Sequence, residues 1–102
     1  MEGKKLGVGT FPDKMRLDKW LWQARFFKSR TLSARKITAG HIKVNRRKVE
    51  KPSCSVSTGD VLTFVQSNRV RIIRIEALGH RRGSVIEAHA LFTDLASSKE
   101  SR

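Results

Sequence analysis

Apolar residues recur along the chain in two rhythms, first that of a helix and then that of strands. Leu17, Trp20, Leu21, Ala24 and Phe27 fall on one stripe of a helical wheel. The spacing predicts a helix over 17–28, with Lys19 and Gln23 facing elsewhere. Ser29 is placed to cap a second helix over 30–39, and Gly40 suits the left-handed position that ends it. Leu32, Ser33 and Ile37 share the inner face of that helix, with Arg30 and Arg35 pointing away from it. A link of only one or two residues between the helices demands a sharp turn.

After Gly40 the period changes to two. Ile42 and Val44 alternate with His41, Lys43 and Asn45, as in a half-buried strand. Asn45-Arg46-Arg47 reads as a turn, Val49 as the start of a short return strand, and Pro52 as its interruption. Ser57-Thr58-Gly59-Asp60 is a second turn. Residues 61–65 form a strand of branched and aromatic residues, and Gln66-Ser67-Asn68 links it to a strand over 69–77. The adjacent Ile72 and Ile73 break strict alternation, which leaves a bulge or a two-sided strand. Residues 79–84 make a polar, basic loop. Residues 85–95 fit either a short helix or a final strand, and a short helix is preferred. Residues 1–14, with Gly3, Gly7, Gly9 and Pro12, read as a flexible leader, and 96–102 as a frayed polar tail.

With 102 residues, of which 38% are hydrophobic, the chain suffices for one small core. It carries 22 Lys and Arg against 9 acids, a net charge of +13. The excess is local: residues 15–51 hold twelve bases and two acids, net +10. Both tryptophans and the Phe26–Phe27 pair lie in the same segment, so it is a folded surface rather than a basic tail. Mixed signs or acids would serve solubility better. A cationic face of this kind points to a polyanion, above all nucleic acid. Trp22 and Phe26, nearly opposite the core stripe of the first helix, either pack against the C-terminal part or stack on bases.

Other chemistry finds little support. No apolar run approaches the ~18 residues of a membrane span, and no secretory signal is visible, so a cytoplasmic protein is expected. Gly7-Val8-Gly9 lacks the strand and lysine of a nucleotide loop. His41, His80 and His89 are too scattered for a metal site, and the single Cys54 allows no internal disulfide and has no activating base beside it. No nucleophile motif occurs. The expectation is a protein without catalysis, metal or cofactor.

The run Arg16-Leu17-Asp18-Lys19-Trp20-Leu21, then Ala24-Arg25-Phe26, Lys28-Ser29-Arg30 and Gly40-His41-Ile42-Lys43-Val44-Asn45 resembles the S4 RNA-binding domain family, the alpha-L motif. The likeness is dense over 15–65, and Ser33 stands where the family usually has alanine. Within the family, Trp20-Leu21-Trp22, Phe26-Phe27-Lys28 and Lys51-Pro52-Ser53 look most like its small bacterial heat-shock members. The resemblance implies an α+β, S4-like fold: two N-terminal helices packed on a small, mainly antiparallel sheet, with a short C-terminal helix. One S4-type domain would span 15–95. It implies a basic face that grips structured RNA. For the heat-shock members that RNA is 23S ribosomal RNA in the large (50S) subunit, bound when a nascent chain is retained on transfer RNA, and their role is rescue of such blocked subunits.

The residues carry this expectation in their own chemistry. Arg16, Lys19, Arg25, Lys28, Arg30, Arg35, Lys36, Lys43, Arg46, Arg47 and Lys48 are placed to neutralise phosphates, arginine adding a planar fork that grips or stacks. Ser29 caps a helix start whose free N–H groups suit a phosphate. Asn45 either donates to a 2′-hydroxyl or forms its own turn. Asp18 is read as holding a neighbouring arginine in place. A monomer binding RNA is expected. The competing readings are a general DNA- or RNA-binding module, and a subunit that delivers RNA to a separate enzyme.

Overall fold

A computed structural model describes residues 14–96; the leader and tail expectations fall, but for residues 14 and 96, outside the described residues. In chain order the elements are β1 (Met15–Arg16), α1 (Leu17–Gln23), α2 (Arg30–Thr38), β2 (Ile42–Val44), β3 (Arg47–Val49), β4 (Ser55–Val56), β5 (Val61–Gln66), β6 (Arg69–Ile75), α3 (Val85–His89) and β7 (Phe92–Asp94). Five strands form one sheet in the order β3-β2-β5-β6-β7, and β1 pairs with β4. Every pairing is antiparallel. This is the expected α+β arrangement.

Alternation decides which strand face is buried. Ile42 and Val44 point inward while Lys43 between them is exposed. Val44 pairs with Leu62 and Leu62 with Ile73, so one inner face runs across three strands. The helices cover it with Leu17, Trp20, Leu21 and Ile37, all fully buried. Trp20 donates its indole N–H to the Ala77 carbonyl at 2.9 Å, which satisfies the one polar atom of a buried ring.

The first helix is shorter than its periodicity predicts. It ends at Gln23, with Ala24 as cap and Arg25 in the left-handed region at φ 67°. The Phe26 N–H bonds back to the Leu21 carbonyl and the Arg25 N–H to the Trp22 carbonyl, each at 3.0 Å. These two bonds define a Schellman end, built here on an arginine where glycine is usual. The link to α2 therefore has six residues, 24–29, not one or two. Distant side chains hold it: Gln66 donates to the Phe26 carbonyl at 2.7 Å and Arg82 to the Trp22 carbonyl at 3.0 Å.

Released from the helix, Phe26 turns into the core. Its ring lies 5.5 Å from Phe64, edge to face, and 4.7 Å from Phe92. Packing rather than base stacking accounts for it. Trp22 stays half-buried with the Arg82 guanidinium 5.7 Å above its ring. Two helix positions differ from expectation. Gln23 is buried and donates its amide to the Leu78 carbonyl at 3.0 Å, while Leu32 is 40% exposed.

The second helix ends as its sequence predicts. Gly40, at φ 78°, donates to the Ile37 carbonyl, and His41 to that of Lys36. A Cβ on Gly40 would come within 3.3 Å of both the Lys48 stem and the Glu50 carboxylate. The β5–β6 register is unbroken, so Ile72 and Ile73 serve a two-sided strand without a bulge, and β6 ends at Ile75 rather than at 77. The 85–95 segment resolves into both alternatives: α3 capped by Ser84, then β7 against β6.

Candidate nucleic-acid interface

The centre of the basic segment is an acid. Asp18 lies in the first turn of α1, its side chain only 6% exposed. It accepts two hydrogen bonds from Arg16, Nε at 3.1 Å and a terminal nitrogen at 3.0 Å, a bidentate fork. Arg30, from the first residue of α2, reaches the same carboxylate at 3.5 Å. One buried acid thus orients arginines from two elements while about half of each guanidinium side chain faces solvent. The hydrogen bonds and then the charge of Asp18 hold the Arg16 guanidinium above its ordinary pKa. The role read for Asp18 is the one it plays.

Two hydroxyls lock this arrangement. Ser29 accepts the Leu32 N–H at 3.1 Å and starts α2 at the point where Arg30 must stand. Ser33, fully buried, donates to the Asp18 backbone carbonyl at 3.1 Å and pins α2 to the start of α1. Alanine at this position could not make that bond.

The β2–β3 hairpin carries the second group. Asn45 and Arg46 both have positive φ, 51° and 74°, the signature of a two-residue turn that follows the strand twist. Lys43 and Lys48 stand directly opposite on the exposed face, a like-charge pair that costs stability. Lys48 has partial relief from Glu50 at 3.8 Å. Arg46 and Arg47 are exposed at the tip. The Asn45 carboxamide is engaged by the protein: it donates to Asp60 at 3.1 Å and accepts the Val61 N–H at 2.9 Å. Of its two expected roles, this geometry serves the turn. Arg35 and Lys36 are exposed on the last turn of α2, and Lys19 is half-buried on α1.

Arg25 and Lys28 are drawn elsewhere. They line a cleft of about 440 Å³ between the α1–α2 link, the start of β6 and α3. Arg25 donates its Nε to the Gly83 carbonyl at 2.7 Å. Arg82, His89 and Arg71 join them there, and none of the three is among the RNA-binding residues expected from the sequence. The basic composition of 79–84 was a signal for Arg82 alone. Among the described residues three arginines of the C-terminal half are matched by acids: Arg71 by Asp94 at 3.0 Å, Arg74 by Glu76 at 2.8 Å and Arg81 by Glu87 at 3.1 Å. Among the described residues the cations of 15–51 find only Asp18, for Arg16 and Arg30, and Glu50, for Lys48.

Among the described residues no three His, Cys, Asp or Glu side chains are grouped to hold a metal, and no helix is long and apolar enough to cross a membrane.

Two short helices, a Gly-ended second helix and a cationic hairpin on an antiparallel sheet define an S4-type domain, and the S4 domain model matches residues 15–62. Heat shock protein 15 of Escherichia coli K12 is 38% identical over 87% of this chain and 66% of its own length. Its homolog from Haemophilus influenzae is 37% identical over 87% of this chain and 67% of its own. The chain spans about two thirds of the length of these curated relatives. The solved trimeric structure of Vibrio cholerae heat shock protein 15 superposes with a TM-score of 0.79 at 37% identity, covering 87% of this chain and 89% of that one. The chain belongs to the S4-domain family, in its heat shock protein 15 branch.

Proposed function

We propose that this protein binds structured RNA through the Asp18-centred arginine pair and the β2–β3 hairpin. Its target in this reading is 23S ribosomal RNA of the large subunit, and its task, in the cytoplasm, is rescue of subunits blocked by a nascent chain on transfer RNA. The observation that carries the proposal is the Arg16–Asp18–Arg30 arrangement: two guanidinium groups from separate elements are oriented toward solvent by one buried carboxylate. Fixed forks recognise the fixed phosphate spacing of a folded RNA, whereas mobile cations would neutralise any polyanion. The ribosomal part rests on the resemblance to the heat-shock members of the family.

Sedimentation with ribosomal particles over a salt series tests this. Co-migration with 50S particles at low salt is expected. With about eight phosphate contacts, log K should fall with log salt with a slope of roughly −6 to −7. Absence from the 50S fraction at every salt concentration removes the ribosomal claim. Equal affinity for a structured RNA and for duplex DNA of the same charge favours a general nucleic-acid module instead. A single copy engages each RNA in this reading; two or three copies per RNA in a native mass spectrum refute that.

A further inference from the structure

We propose that the cleft between the α1–α2 link and α3 is a second, separate site that holds one unpaired nucleotide of RNA, its phosphate on Arg25, Lys28 and Arg82. The proposal rests on the RNA-binding reading above and adds to it the chemical form of the RNA.

The first support is charge without compensation. Among the described residues no Asp or Glu lines the cleft. Arg25 and Arg82 are oriented by carbonyls, those of Gly83 and Trp22, with Phe27 a longer contact at 3.5 Å. A neutral carbonyl aims a guanidinium without cancelling its charge. Arg71, at the far wall, differs: Asp94 takes its charge and the Phe26 ring lies 5.3 Å beneath it. Lys28 is exposed and has no acid partner among the described residues. Gathering Arg25, Lys28 and Arg82 around one concavity is repulsive unless an anion enters it.

The second support is backbone strain. Arg25 occupies the left-handed region, where glycine would end the helix at less cost. The residue there carries a guanidinium into the cleft instead. The third is the aromatic wall: His89 and Phe92 meet edge to face at 5.8 Å beside the cations. Bases of a duplex are stacked inside it and cannot reach such a wall, but an unpaired base can. The volume falls within the range of small-ligand sites. Finally, Arg82 and His89 lie outside the 15–62 match, so the site needs both the motif and the segment that follows it.

Titration of hexauridylate, uridine monophosphate and inorganic phosphate into isotope-labelled protein, read by NMR, tests the assignment. Hexauridylate should shift the side-chain Nε–H signals of Arg25 and Arg82 and the ring signals of His89 and Phe92, saturably. Inorganic phosphate should shift the arginines alone and at far higher concentration. Lys28→Gln should weaken hexauridylate at least fivefold, and Arg25→Gly should do the same in a protein that still folds. Shifts confined to Arg16, Arg30 and the hairpin, or an unchanged affinity in Lys28→Gln, overturn the cleft site and leave the RNA-binding reading standing. Equal affinity for phosphate and hexauridylate overturns the nucleotide assignment. If no RNA of any form binds, the RNA-binding reading fails and takes the cleft with it.

Discussion

Replacing Arg25 by glycine and by alanine isolates the strain stored at the end of α1. Arg25 sits at φ 67°, between two hydrogen bonds that close the helix. The left-handed region costs a residue with a Cβ roughly 1–2 kcal/mol. Glycine escapes that cost but loses roughly 0.5–1 kcal/mol to the greater freedom of its unfolded chain. Both variants lose the bond from Arg25 Nε to the Gly83 carbonyl, a common term of about 0.5–1.5 kcal/mol. In the difference between the two variants that term cancels. Glycine should therefore exceed alanine by about 1 kcal/mol, or about 4–8 °C in melting temperature for a domain of this size. Thermal unfolding followed by circular dichroism measures it. Lys36, exposed within α2, supplies the control, because there alanine should exceed glycine by about 1 kcal/mol. An Arg25→Ala protein as stable as Arg25→Gly would mean that residue 25 does not hold the left-handed conformation, and the Schellman end of α1 would be refuted.

Asp18→Asn raises the net charge by one yet should weaken binding of a structured RNA severalfold, since Arg16 and Arg30 lose their common anchor; tighter binding would show that bulk charge, not orientation, governs recognition. Ser29→Ala should cost about 1 kcal/mol in a denaturant titration by uncapping α2, and a negligible change would refute the cap's role. Glu76 is held below its ordinary pKa by the Thr93 hydroxyl and then by Arg74. Because the folded value is the depressed one, its contribution to stability is complete above the unfolded value and is lost as pH falls through the folded value. Thr93→Val should raise the Glu76 midpoint in an NMR titration and shrink the stability lost on acidification; an unmoved midpoint sinks this account.

Much of the architecture was legible in the amino-acid order because local rules and tertiary demands agree there. The Ser29 cap, the Gly40 stop, the Ile42–Val44 alternation and the Asn45 turn each follow from one residue's conformational preference or from a period of two. The concentration of cations in 15–51 was equally plain, since charge has no geometric precondition. What sequence could not indicate are arrangements made by residues far apart in the chain. Helical periodicity continues through Phe27, but the carbonyls of Trp22 and Phe26 are claimed by Arg82 and Gln66, and the helix stops short. Gln23 looks solvent-facing on a wheel until the Leu78 carbonyl arrives to accept its amide. The separation of Arg25 and Lys28 from the Asp18 pair, and their union with Arg82, likewise exists only after the C-terminal segment packs back. A preference belongs to a residue and travels with it; a hydrogen bond across 60 positions has no partner until the fold brings one.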